Sequence, residues 1–316
     1  SAELFDLSAK TWTAAPAMSV KRRGHTATLL STGKVLVVGG TADSSNSHST
    51  AQLFDVATKT WTASPSMKEV RTNHTATLLP GDKVLVVGGT DFSPGQEWAS
   101  AELYDGATNT WSPAGTMAIG RQEHAATLLA TGQVLVTGGR RGGGVYHSTA
   151  ELFDPATGTW SSAGAMLRAR GAHGSTLLSS GKVLITGGRA VESMGGSQTY
   201  SQAELYDPTL KTWKGTSAPM GSWHSGHTAA ALPLDRVLIV GGSGNLGTVP
   251  SVELYSLTSD RFAPFAPLAT ARVDHATVQL PNLELLVTGG QGTAALASVE
   301  LLKLGAPGDV CKDGLA

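Results

Sequence analysis

A single cysteine, Cys311, leaves this chain without an internal disulfide and without any metal site built on several thiolates. Net charge is also scarce: 23 Lys and Arg stand against 24 Asp and Glu, only 15% of residues are charged, and no basic block occurs. Non-specific nucleic-acid binding rests on many cations neutralising phosphates, so nucleic acid is not an expected partner. No apolar run approaches the roughly 18 residues that cross a bilayer, so no membrane span is expected. No signal peptide is visible at the start, where Ser1-Ala2-Glu3-Leu4-Phe5-Asp6 already lies inside a repeat. Whether a targeting segment has been removed is left open. Much Ser, Thr and Gly with little Cys and Lys suits a bacterial exported protein, outside the cell, on its surface or in the periplasm. Helical periodicity is missing throughout.

What the chain does have is one stretch written six times. Lys34-Val35-Leu36-Val37-Val38-Gly39-Gly40 is an apolar run closed by two glycines. Equivalent pairs stand at Gly88-Gly89, Gly138-Gly139, Gly187-Gly188, Gly241-Gly242 and Gly289-Gly290. A period of about 50 residues marks a repeat architecture rather than separate domains. Within one unit, His25 to Leu30 is β-prone, Ser31-Thr32-Gly33 is turn chemistry, and Val35 to Val38 is apolar on both faces. Ala51-Gln52-Leu53-Phe54-Asp55 and Thr60-Trp61-Thr62 follow. Four short strands joined in order form an antiparallel meander. A sheet that is apolar on both faces must be stacked between copies of itself, and radial closure does this while leaving short edges.

The double glycine after an apolar strand, followed by an aromatic and a Trp seven positions apart, resembles the kelch repeat. The pairs are Phe5/Trp12, Phe54/Trp61, Tyr104/Trp111, Phe153/Trp160, Tyr206/Trp213 and the degenerate Tyr255/Phe262. The resemblance covers residues 2 to about 303. It implies an all-β, six-bladed propeller of four-stranded antiparallel blades over residues 1–304, with residues 305–316 as a tail. Blades are expected at about 25–62, 74–112, 124–161, 173–214, 227–263 and 275–303 plus 2–13. Each Trp is expected to be a large core anchor. Two stretches compete for the third strand of the last blade, Ala2–Asp6 and Ser298–Leu302. Only the first is followed by a Trp, so residues 2–13 are expected to close that blade; the reverse arrangement stays open.

A meander brings the loop after strand two and the loop before strand one to one face. That face carries most of the sequence variation and is the expected working face. A histidine begins every blade: His25, His74, His124, His173, His227 and His275. A residue repeated in every blade reads as scaffold, and no metal or cofactor is expected. Three residues earlier stand Arg22, Arg71, Arg121, Arg170 and Arg272, with His224 in blade 5. In eukaryotic kelch adaptors, the arginine at this place grips acidic peptide side chains at the channel mouth. The resemblance implies an anion-attracting cup here. The other open reading is a local pairing of each Arg, with Glu69, Glu123 and Asp274 near in sequence. Departures from the repeat add Trp98, Tyr146 and Trp223, together with Phe92, Arg140, Arg141, Glu192 and Met194, the mixture recognition sites use.

Function is expected to be recognition of a protein, peptide or glycan ligand by a monomer. The alternative is an enzyme using Glu123, Asp274 and His224 for acid–base chemistry of an isomerase, epimerase or lyase kind. A third is a structural spacer in a larger surface protein. The copper-radical oxidases of this fold need a Tyr–Cys crosslink within the propeller, and Cys311 lies outside the repeats. The Glu-x3-Asp-x3-His iron site of the nitrile-forming kelch proteins is missing.

Overall fold

Backbone geometry at the double glycines explains why the repeat demands them. Gly88 and Gly89 both hold positive φ, 63° and 86°. A Cβ on Gly88 would stand 2.6 Å from the Arg121 carbonyl oxygen and 2.7 Å from His124 Cε1, both in the next blade. A Cβ on Gly89 would meet the Thr72 carbonyl oxygen at 2.7 Å. The pair therefore turns the chain and also lets adjacent blades touch. Gly81 has a similar φ of 77° but nothing within 4 Å. Gly88→Ala should lose about 3 kcal/mol or more in urea unfolding, from strain plus overlap, whereas Gly81→Ala should lose only about 1 kcal/mol from strain alone.

The computed structural model describes residues 2–43, 46–91, 96–191, 196–281 and 284–304. It is a six-bladed propeller with almost no helix. Among the described residues no helix is long and apolar enough to cross a membrane. Blade 1 is Thr26–Leu29, Lys34–Val38, Ala51–Asp55 and Thr60–Ser64, hydrogen-bonded in chain order. Blades 2 to 5 repeat that antiparallel order. Second strands are the most buried: Val84, Leu85, Val86 and Val87 are all 0% exposed. No single centre exists. Five apolar clusters lie one at each junction from blade 1 to blade 6.

The outer strands show how the aromatic spacing works. Asp55 accepts from the Ala57 and Thr58 amides, closing a tight turn that returns the chain. This sets Phe54 opposite Trp61, with ring centroids 4.9 Å apart. Tyr104, Phe153, Tyr206 and Tyr255 are buried to 1% exposure or less. Trp61, Trp111, Trp160 and Trp213 are only half-buried and Trp12 is exposed, so the expectation that Trp anchors the core is corrected. The indoles of blades 2, 3 and 4 instead donate to a backbone carbonyl at the end of the preceding blade's fourth strand: Trp111 to Pro65, just past the strand, and Trp160 to Ala114 and Trp213 to Ala163, within it.

Blade 6 departs from the expectation. Its third strand is Val299–Lys303, paired to Glu284–Thr288, and among the described residues the blade has three strands. Among the described residues Ala2–Asp6 pairs with Thr11–Ala15 alone, as a separate hairpin. Charge is consistent with this arrangement. In blades 1 and 2 an acid ends the third strand opposite a base: Asp55 faces Lys34 and Asp105 faces Lys83. Blade 6 inverts the pair, with Glu284 facing Lys303. Asp6 in place of Lys303 would set two carboxylates face to face, which cross-strand pairing disfavours. The tail after Leu304 lies outside the described residues, as does Cys311.

Candidate functional site

The repeated arginines are the best-defined polar groups, and they face inward. Arg71, Arg121, Arg170 and Arg272 are each 0% exposed. Arg170 donates Nη1 to the Gly187 and Gln202 carbonyls and Nη2 to Glu204 Oε1 at 2.6 Å. Glu204 also accepts from the Leu167 and Arg168 amides, so one ion pair ties three segments of a blade. Arg71–Glu102, Arg121–Glu151 and Arg272–Glu300 repeat the latch. Burial draws these arginines' pKa down where a shift is resolved, and the paired glutamate pushes it back up. Arg22 keeps the carbonyl contacts, to Gly39 and Thr50, but Gln52 stands where the others have Glu.

His224 occupies the arginine's place in blade 5. Its Nδ1 meets the Gly241 carbonyl at 2.6 Å and its Nε2 meets Glu253 at 3.0 Å. It is 0% exposed and does not reach the channel mouth. The anion cup is therefore withdrawn. Arg71, Arg121, Arg170, Arg272 and His224 are held below the surface by partners inside their own blades, and the half-buried Arg22 is bonded to carbonyls of its own blade. Local pairing was the right alternative. The partner is the third-strand glutamate rather than Glu69, Glu123 or Asp274.

The histidines bond hydroxyls of the preceding blade. His74 reaches Thr26, His124 reaches Thr75, and His275 reaches Thr228, each through Nε2 at 2.9 Å. Where the first strand begins with Ala125 or Gly174, the hydroxyl comes from the facing residue of the second strand. Thr137 then serves His173 and Thr186 serves His227. Burial lowers His74 and His173 to about 3 and His275 to about 4, and holds His124 and His227 well below the usual value.

Around the axis the exposed surface is made by other residues. Gly24, Asn73, Glu123, Ala172, Gly226 and Asp274, one per blade, all have positive φ. Their backbones are chained: Asn73 N–H donates to Gly24, Glu123 to Asn73, Ala172 to Glu123, Gly226 to Ala172 and Asp274 to Gly226. Four of the six are not glycine, so strain is stored around the channel opening, where function commonly holds it. The mouth is a cup of about 360 Å³ lined by Asn73, Glu123, Ala172, Gly226 and Asp274 above the histidines.

Glu123 is clamped from two blades. Arg140 Nε lies 3.0 Å from Oε1 and Arg189 Nη2 lies 3.3 Å from Oε2. Among the described residues Asp274 makes no such pair. Burial raises its pKa, the Arg189 charge lowers it and the Glu123 charge raises it again. Asn73, Gln122 and Glu97 continue the polar rim. Trp98 donates to the Val70 carbonyl and lies over Arg71, Tyr146 packs beside Gly171, and Trp223 is 47% exposed. Phe92, Glu192 and Met194 lie outside the described residues. Other hollows of similar size lie between outer strands at successive junctions, against Trp111 and again against Trp160, so the repeat itself makes them.

Sequence reading thus found Glu123 and Asp274 but missed that Arg140 and Arg189 converge on Glu123. The available signal was the residue after each double glycine, which is Thr41, Thr90, Arg140, Arg189, Ser243 or Gln291. Those residues bridge to the segment that leads into each blade, Gln122 with Arg140 and Gly171 with Arg189.

The family profile of the KLHDC2/KLHL20/DRC7 Kelch-repeats domain matches residues 2–188. The chain belongs to the kelch-repeat family. Among solved structures it is similar to that described as "Structure of YjhT", with a TM-score of 0.70 and 18% identity over 93% of this chain and 98% of that one. At that identity the likeness speaks for the kelch propeller fold alone. Comparison with curated proteins gives no match.

Proposed function

We propose that this kelch propeller is a recognition module that takes a protein, peptide or glycan segment at the loop-face mouth of its channel. The fold supports recognition in general terms. The observation that supports the finer reading is the polar cup itself: Arg140 and Arg189 converge on Glu123, while Asp274 lines the same space with no cationic clamp among the described residues. Such a cup presents both signs of charge, and it favours a ligand rich in hydrogen-bonding groups over a simple anion. The exposed Trp223 on the same face offers an apolar contact of the kind that anchors binding.

Arg189→Ala and Asp274→Asn should each weaken a ligand found on peptide and glycan arrays by about tenfold or more, with the thermal midpoint little changed. Retained binding in both variants would sink the mouth as the site. A second reading, acid–base catalysis, draws on the raised Asp274 carboxyl beside Glu123. It requires turnover that Asp274→Asn abolishes while binding survives.

A further inference from the structure

In blades 2 and 3 the fourth strand carries one residue more than the third strand it pairs with. Ser100 faces Thr116 while Glu102 faces Pro113, and Thr149 faces Ala165 while Glu151 faces Ser162, so a bulge stands opposite Ala101 and another opposite Ala150. Gly115 and Gly164 make these bulges, at φ of 72° and 76°. Blades 1 and 5 pair through the same stretch without a shift. A bulge bends its strand and re-aims the side chains beside it, and each bulge glycine here forms part of the wall of a hollow on the propeller's flank. The hollows measure about 470 Å³ against Trp111 and about 450 Å³ against Trp160. At blade 4, whose fourth strand Thr212–Gly215 pairs without a shift, the hollow is about 260 Å³ and is walled by Leu167, Arg168 and Ser217 rather than by an indole.

We propose that the hollows against Trp111 and Trp160 are a duplicated binding site for a neutral glycan, each taking one hexose unit. They act independently of any ligand at the channel mouth. Charge selects the class. Glu102 and Glu151 line the hollows, but both oxygens of each are engaged: Oε1 by Arg71 or Arg121, and Oε2 by the Lys68 or Ala118 amide. Lys68 and Glu69 at the first rim offset each other at 3.6 Å, and the second hollow has Ala118 and Ile119 in their place. Neither hollow therefore offers net charge to an acidic or basic ligand. Each offers an indole beside hydroxyls. Ser100 Oγ accepts from Arg71 Nη2 at 2.7 Å, and Thr149 Oγ1 accepts from Arg121 Nη2 at 3.1 Å. A hydroxyl whose lone pair is held by a buried guanidinium turns its own hydrogen away from that cation, so each is a donor oriented before any ligand arrives. Ser112 and Ser161, exposed beside the indoles, add further hydroxyls. A hexose ring matches both features. Its C–H face packs on the negative π face of an indole, and the hydroxyls at its edge exchange hydrogen bonds with the Ser and Thr side chains. A proline-rich peptide would use the indole and leave the hydroxyls idle.

The probes are neutral pentasaccharides of glucose, galactose and mannose, titrated into the isotope-labelled chain while its amide NMR signals are followed. With at least one of them the Ser112 and Ser161 amides should shift together, with a dissociation constant on the order of 1 mM. Ser112→Arg fills the first hollow from an exposed position, so it should abolish the response there and leave the Ser161 response and the thermal midpoint unchanged. Ser161→Arg should do the reverse. Thr149→Val keeps the shape but removes the oriented donor, and should weaken the second hollow alone by about fivefold. No shift at either hollow with about 20 mM of each sugar would overturn the proposal. A shift at one hollow alone would overturn the duplication. Shifts confined to the Glu123 and Asp274 amides would assign the sugar to the channel mouth and also overturn it, as would a proline-rich decapeptide that moves Ser112 and Ser161 where no sugar does.

Discussion

Lowering the pH from 6.5 toward 4.5 unfolds this propeller. His74 and His173 are buried, neutral and held to about 3, and His124 and His227 lie well below their usual value. Burial is the first cause in each, and the charge of Arg71, Arg121 or Arg170 adds to it for His74, His124 and His173. Unfolding returns every imidazole to a pKa near 6.5. Below that pH the unfolded chain binds protons that the native chain refuses, so stability is complete above 6.5 and falls as the pH drops. Each such histidine removes about 1.4 kcal/mol per pH unit while the pH lies between its two values. His74 and His173 alone, over two units, remove on the order of 5 kcal/mol, and His124 and His227 act in the same direction, against a whole stability of about 5–15 kcal/mol for a typical domain. Urea midpoints followed by far-UV circular dichroism from pH 7.5 to 4.5 should fall steeply and reversibly. His173→Gln, which keeps a donor for Thr137, should flatten the slope by about one histidine's share. A flat profile across that range would mean that the histidines are not held neutral.

The fold was readable because each element of the repeat meets a physical requirement that only a few residues satisfy. Gly88 must have no Cβ because the Arg121 carbonyl and the His124 ring occupy that space. Asp55 must cap its turn for Phe54 to face Trp61. The site was less legible. The arginines recur in five of the six blades, with His224 in the other, and that regularity was the clue that they belong to the scaffold. Their partners lie about 30 residues away on the third strand, in the Glu of Ala101-Glu102-Leu103 and its copies, a separation that only strand register brings together. Glu123 and Asp274 were legible as acids set directly before the repeated histidines of blades 3 and 6, which face each other across the axis. The clamp from Arg140 and Arg189 depends on the bridge each makes just after the double glycine, a position the repeat marks while leaving its residue type free.

Arg170→Met tests the latch at its strongest point. The guanidinium is 0% exposed and Glu204 only 2%. Removing the arginine strands a buried carboxylate, whose two remaining amide bonds to Leu167 and Arg168 do not neutralise it. It also leaves the Gly187 and Gln202 carbonyls without these donors. Breaking one side of such a pair costs about 3–5 kcal/mol, and the unmet carbonyls add to that. Glu204→Gln keeps most hydrogen bonds but leaves a cation without its counter-charge, so it should lose less, about 2–3 kcal/mol. The double variant Arg170→Met/Glu204→Gln should recover part of the single loss, because no buried charge remains, and the unmet carbonyls should hold back the rest. Arg22→Met is the internal control. Arg22 is half-buried and has no carboxylate partner, so its loss should stay near 1–2 kcal/mol. Equal losses for Arg22→Met and Arg170→Met, read from urea unfolding, would show that the carbonyl contacts carry the latch and the ion pair adds nothing. A larger loss at Arg170 that the double variant partly repairs would assign the difference to the buried charge, and would explain why four blades keep an Arg–Glu pair that never reaches the surface.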